Sequence, residues 1–185
     1  MTTRSNRRIC AGALALALAL VAFSAQAGSR RYDWLAGTTW YVPSSGITAL
    51  YWSSEIEEAV PAIDQTVYII DQYADGYFSG RATTLLNGST RACRWLIGSV
   101  TPRGEVLLSF IPLTGDDAAT TLGFGKMRRR GGRWSMINQT VAALASGQLA
   151  HWAKMKTIRP TDADYLRLPG TDESLPDFIA ACWPD

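Results

Sequence analysis

Four turn signals recur at short intervals through the middle of this 185-residue chain. Asp75-Gly76, Asn87-Gly88, Pro102-Arg103-Gly104 and Gly131-Gly132 each separate runs rich in β-branched and aromatic residues. Asn-Gly and Asp-Gly pairs tolerate positive φ at both central positions, which is the backbone a two-residue hairpin turn demands. The runs between them predict strands over 66–73, 77–86, 91–99, 105–112, 120–130 and 133–141. Further strands are expected at 38–43 and 149–158, with a short early run at 47–52. Eight or nine strands in sequential hairpins leave exposed edges unless the sheet closes on itself. The expected fold is therefore all-β, an antiparallel up-and-down meander closing into a small barrel, with a short C-terminal helix.

The first residues read differently. Arg4, Arg7 and Arg8 precede an Ala- and Leu-rich run from Ala11 to Phe23, and Ala25-Gln26-Ala27 supplies small residues before Gly28. This order of charge, apolar core and small residues is that of a secretory signal peptide, with cleavage expected between Ala27 and Gly28. The apolar run is shorter than the ~20 residues a membrane-spanning helix needs. The chain thus divides into a signal peptide over 1–27 and a single β-barrel domain over 28–185. It is expected in the periplasm or outside a bacterial cell.

Beyond the signal stand 15 basic and 16 acidic residues, a net charge of −1. That balance argues against broad binding to nucleic acid or to an anionic membrane. Three cysteines and one histidine exclude a four-thiolate zinc site and multi-histidine metal chemistry. Asp116-Asp117, with Asp162 and Asp164, lacks the ligand alternation of an EF-hand, so no metal and no cofactor are expected. Pro176 and Pro184 interrupt the chain end, where an outer-membrane barrel carries a lipid-facing strand, so no integral membrane span is expected after export.

A two-residue loop at Asn87-Gly88 would set Ala82 opposite Cys93 and Gly80 opposite Trp95. One face of that hairpin then carries Phe78, Ala82, Leu86, Cys93, Trp95 and Ile97, and the wet face Arg81 and Arg94. In the hairpin around Gly131-Gly132 both faces are mixed. One has Gly125, Met127, Trp134, Met136 and Asn138, the other Leu122, Phe124, Lys126, Ile137 and Gln139, and either suits the interior. Ser54 with Glu57 reads as a capping box opening a short helix over 55–60 that Pro61 ends, and 54–65 would lie as a lid. Ser174 caps a second helical piece over 175–182, with Pro176 in its first turn.

Gly37-Thr38-Thr39-Trp40-Tyr41 resembles the opening strand of lipocalin and avidin barrels, with one extra residue between Gly and Trp. The resemblance implies that Trp40 closes the barrel floor beneath a basic side chain of the last strand, here Lys154, Lys156 or Arg159. It also implies a bond from a mid-barrel cysteine to the chain end. Over most of its length the chain resembles uncharacterised exported proteins of rhizobium-type proteobacteria. The shared residues are Asp75-Gly76-Tyr77-Phe78-x-Gly80, Gly98-Ser99-Val100-Thr101-Pro102, Gly132-x-Trp134-x-Met136, Asn138-Gln139 and His151-Trp152-Ala153. That likeness implies export and assigns no activity. Independently of either, Cys10 leaves with the signal, so Cys93 and Cys182 remain as an even pair in an oxidising compartment and are expected to form a disulfide.

His151 is the sole imidazole, and no G-x-S-x-G elbow or other nucleophile accompanies it, so it is read as structural and no catalytic residue is assigned. Trp40, Trp52, Trp95, Trp134 and Trp152 all fall on predicted strands and either line an apolar cavity or fill the core. Arg128, Arg129 and Arg130, with Arg133, straddle a hairpin tip. They form a basic rim for an anionic head group or a solvated loop with Arg129 lying on Trp134. The expected function is a non-enzymatic exported barrel binding a small apolar or amphipathic ligand through these Trp and Arg residues. The alternative is a protein-binding module, an inhibitor or envelope interaction protein, working on a solid barrel. A hollow interior favours the first and a filled one the second.

Overall fold

The structure, a computed structural model, describes residues 30–113, 121–144 and 147–184. The expected signal peptide, its expected Ala27–Gly28 cleavage point and the Asp116-Asp117 pair lie outside the described residues. A 3-10 helix over Arg30–Leu35 leads into ten strands. They are β1 (Thr38–Tyr41), β2 (Ala49–Ser53), β3 (Glu58–Ala62), β4 (Asp64–Ala74), β5 (Tyr77–Leu86), β6 (Thr90–Val100), β7 (Glu105–Pro112), β8 (Thr121–Arg130), β9 (Arg133–Leu144) and β10 (Gly147–Thr157). A short helix, α1 (Leu175–Ala180), ends the described chain.

The sheet order is β1-β4-β5-β6-β7-β8-β9-β10, and β1 also pairs with β10, so eight strands close into an antiparallel barrel. The expected fold holds. β4 to β10 are consecutive hairpins, and their turns use the residues that the sequence marks: Asp75, Gly76, Asn87, Gly88, Gly131 and Gly132 all have positive φ. The β2–β3 hairpin is added to the barrel wall through β2 on β10.

That hairpin corrects the expected helix over 55–60. Glu57 adopts φ of 54°, which ends any helical run and turns the chain into β3 instead. Pro61 sits in β3, the outermost strand of the order, where a missing amide donor costs no inter-strand bond. Segment 54–65 is thus a hairpin turn followed by strand, not a lid. At the C-terminus the expected helix forms: the Ser174 side chain accepts from the Asp177 amide at 3.3 Å, with Pro176 in the first turn.

The barrel interior is packed. Trp40, Tyr68, Ile70, Leu96, Leu108, Phe110, Met136 and Met155 are buried and belong to one cluster that continues into Tyr32 and Leu35 of the 3-10 helix. That helix plugs one end, where Trp34 stacks on Trp134 at 5.3 Å between ring centres and Tyr32 meets Trp134 edge-on at 5.6 Å. One polar pair is held among the apolar residues: the Asn138 amide donates to the Tyr68 hydroxyl at 2.9 Å. Burial drives the Tyr68 phenol pKa well above its ordinary value, with the Asp64 charge adding to the effect and the Asn138 bond opposing it.

A second apolar cluster lies outside the barrel. Val67 and Leu85 point outwards from β4 and β5 and are covered by Leu168, Leu175 and Phe178 of the tail. Gln65 also faces this layer, donating to the carbonyls of Val42 at 2.9 Å and Pro169 at 2.8 Å. A disulfide joins Cys93 of β6 to Cys182, with the Cα atoms 5.4 Å apart. It pins the far end of the tail to the wall.

The register of β5 on β6 corrects the expected faces. The turn closes with the Ser89 amide on the Leu86 carbonyl at 3.1 Å, yet the ladder pairs Leu86 with Thr90, so Ser89 is an extra residue. Asn87 is occupied elsewhere: it exchanges hydrogen bonds with the backbone of Ile63, accepting from its amide through Oδ1 at 2.9 Å. A slip of one residue inverts a whole strand. Cys93 therefore opposes Thr83, Trp95 opposes Arg81, and Cys93, Trp95 and Ile97 lie on the outer wall while Arg94 lies inside and is buried. Gly80 faces Ile70 and Leu96 rather than an indole, and a Cβ there would collide with the Ile69 carbonyl. In the β8–β9 hairpin, the face with Met127, Trp134, Met136 and Asn138 is the inner one.

Candidate functional site on the outer wall of the barrel

The tryptophans do not converge on one cavity. Trp40 is fully buried in the core, and Trp134 belongs to the plugged end. Trp95 packs on Trp183 of the tail, with ring centres 4.7 Å apart. Trp52 and Trp152 face outwards from β2 and β10 and are half exposed. The basic partner that the lipocalin likeness implies for Trp40 is not on the last strand either: Lys154, Lys156 and Arg159 are exposed, and Trp40 packs against Trp34 instead. Arg129 lies over the Trp134 ring at 5.8 Å, and Arg128, Arg129, Arg130 and Arg133 are all exposed at that tip.

His151 stands where β1 is too short to fill the seam between β10 and β4. Its Nδ1 is 2.8 Å from Asp64 Oδ2, and both side chains are almost fully buried. The distance is that of a hydrogen bond, but neither ring nitrogen has a well-aligned one. Thr48 completes the seam, donating to the Asp64 carbonyl at 2.9 Å, accepting from its amide at 2.8 Å and taking the Trp152 amide on its own carbonyl at 3.0 Å. This is a clasp between two strands. The other candidate acids are also engaged: Asp162 accepts from the Arg159 amide at 2.8 Å, and Asp164 accepts from the Tyr41 hydroxyl at 2.5 Å.

Comparison with protein-family models, curated proteins and solved structures returns no match for this chain.

The ordered chemistry lies on the outer wall of β6 to β10. Residues opposite each other in a ladder project from the same face, so the registers define rows across the wall. One row runs Ser109, Leu122, Val141, Ala150, Leu50. The next runs Leu107, Phe124, Gln139, Trp152. Phe124 and Val141 are each 63% exposed and Trp152 57%, so these are not core residues grazing the surface. A third row runs Glu105, Lys126, Ile137, Lys154, and a fourth Arg128, Ser135, Lys156. Arg130 opposite Arg133 ends the wall. β8 thus passes from apolar to cationic between Phe124 and Lys126, and β10 between Trp152 and Lys154.

Next to the apolar rows, towards β5, an open groove of about 780 Å³ is lined by Tyr73, Tyr77, Phe78, Ile97, Gly98 and Leu107 among others. Gly98 makes room for the Phe78 ring, which a Cβ would strike. Patterns that point to a barrel interior do not mark this wall. The signal was present in the alternation Leu122, Phe124, Lys126, Arg128, which is one outward face.

Proposed function

We propose that this chain is an exported, non-enzymatic barrel that works by surface recognition through the outer wall of β6 to β10. The observation carrying this reading is the pair of registered apolar rows, with Leu122, Val141, Phe124, Leu107 and Trp152 exposed together on neighbouring strands. Contiguous exposed apolar patches of this kind mark interaction sites on soluble proteins. The filled interior supports recognition on a solid barrel over carriage inside a hollow one. The tail covers the outer wall of β4 and β5, so the apolar surface does not encircle the barrel as a membrane-spanning barrel requires. No helix among the described residues is long and apolar enough to cross a membrane.

The groove beside Tyr73 and Tyr77 favours a second reading, uptake of a small apolar or amphipathic ligand there. Its volume falls in the ~300–1,000 Å³ range of small-molecule sites. Fractionation of the native host separates surface recognition from no function at the wall. The wild-type chain is expected with the envelope or in a large assembly, and a Phe124→Ser/Trp152→Ser chain is expected free and monomeric. Identical profiles would count against the wall. A co-purified small molecule released by Tyr77→Ala and Leu107→Ala, but retained by the wall variant, would favour the groove.

A further inference from the structure

Resting on that reading, we propose that the partner of the wall is an anionic phospholipid surface, on which the barrel lies with its apolar rows inserted and its cationic rows at the phosphates. The net charge of −1 over residues 28–185 conceals a segregation. Glu105 is the only acidic residue within strands β6 to β10, whereas Lys126, Arg128, Arg129, Arg130, Arg133, Lys154 and Lys156 all lie there. Glu105 faces Lys126 at 3.7 Å and offsets that one charge. Lys154, Lys156, Arg128, Arg130 and Arg133 are exposed. The acids concentrate elsewhere: seven of the 16 lie between Asp33 and Asp75, and six between Asp162 and Asp185.

The spacing suits a lipid surface. Same-face residues on a strand are about 7 Å apart, so two apolar rows reach the ~5–10 Å depth at which interfacial side chains sit. The next row outwards then meets the head groups, where each lysine or arginine adds attraction to anionic lipid. Lysine stems and the Trp152 ring suit that boundary because one end is apolar and the other polar. An apolar protein partner would gain nothing from charges ranked along one side of the patch. A polyanion alone would not call for exposed Phe124 and Trp152.

The test uses the chain beginning at Gly28, which contains every element of the barrel. It is sedimented with vesicles of phosphatidylcholine alone and of phosphatidylcholine mixed with phosphatidylglycerol. Binding is expected only to the mixed vesicles and should weaken several-fold as salt shortens the screening length. Phe124→Ser and Trp152→Ser should each lower it about tenfold, as expected for losing one buried aromatic contact. Lys154→Glu/Lys156→Glu should abolish the preference for anionic vesicles while circular dichroism stays unchanged. No binding, equal binding to both vesicles, or unchanged binding of the variants would overturn the proposal. A native mass showing a dimer that Phe124→Ser dissolves would also overturn it, assigning the wall to a second copy. Failure here with success of the host fractionation leaves surface recognition standing and removes lipid as its target. Failure of both removes the wall altogether.

Discussion

Trp183 packs on Trp95 immediately beyond the bond from Cys182 to Cys93, so two successive tail residues engage the same face of β6 two positions apart. Arg81, opposite Trp95 in the ladder, lies over the Trp183 ring at 5.9 Å and is held there by Asp71, 3.0 Å away. The tail end is anchored covalently and by packing at one point. The folded chain trapped with a thiol reagent before reduction should take up no label at Cys93 or Cys182, and label on both would refute the bond. Cys182→Ser should lower stability by ~2–4 kcal/mol, the usual range for a native bond closing a long loop. Trp95→Ala should loosen the same segment, seen as faster amide exchange in α1.

The clasp between Asp64 and His151 predicts strong coupling. Both groups are buried, and removing one partner of a buried pair leaves the other without compensation, at a cost of ~3 kcal/mol or more. Asp64→Ala and His151→Ala should each unfold at clearly lower denaturant, while the double variant should lose much less than the sum. Additive losses in a double-mutant cycle would mean that the two side chains do not act together.

Raising the pH should destabilise the barrel through Tyr68. Its folded pKa lies above the unfolded value of about 10, so the protonated phenol contributes fully below pH ~10. Above that the unfolded chain loses its proton first, and stability falls as pH climbs towards the folded value. The Tyr41 phenol is raised in the same direction, by burial and then by its bond to Asp164. Phenolate absorbance from these two rings should appear together with loss of β-sheet signal, and Tyr68→Phe should move that transition to higher pH.

Arg128→Ser and Arg130→Ser should leave folding intact, within ~0.5 kcal/mol each, because both side chains are exposed near a turn. Arg129→Ser removes a cation from the Trp134 ring and should cost slightly more, about 0.5–1 kcal/mol. Thermal unfolding of the three single variants orders them. Equal midpoints would show that Arg129 is as free as its neighbours.

The meander was legible in the sequence because turn chemistry is local. Asp75-Gly76 and Gly131-Gly132 close hairpins where they were expected, and β5 and β7 have the expected bounds. Ser174 and Pro176 likewise act within one helical turn. What was not legible depended on distant partners. Asn87 reads as a two-residue turn until Ile63 binds it, and the added Ser89 then sends Trp95 outwards and Arg94 inwards. Ser54 with Glu57 reads as a capping box until β2 finds β10 as a neighbour and makes a hairpin worth extending. The seam at His151 depends on how short β1 is, which no local pattern states. The wall was half legible: its residues stood together as one face of the β8–β9 hairpin, but only the closed barrel says which face is out.

Closure by β1 also has a consequence for the order of folding. β4 to β10 join by hairpins between chain neighbours, and such contacts form early because little loop entropy opposes them. β1 contributes only four residues, and its pairing of Trp40 with Thr157 spans 157 − 40 = 117 positions. It leaves the ribosome before every other strand, yet one of its two partner strands arrives near the end of synthesis. Pulse-labelled refolding should therefore protect the amides of the central hairpins first and those of Thr39 and Tyr41 last. Until they are protected, β4 and the stretch of β10 beyond its pairing with β2 are open edges, available for pairing with a neighbouring chain.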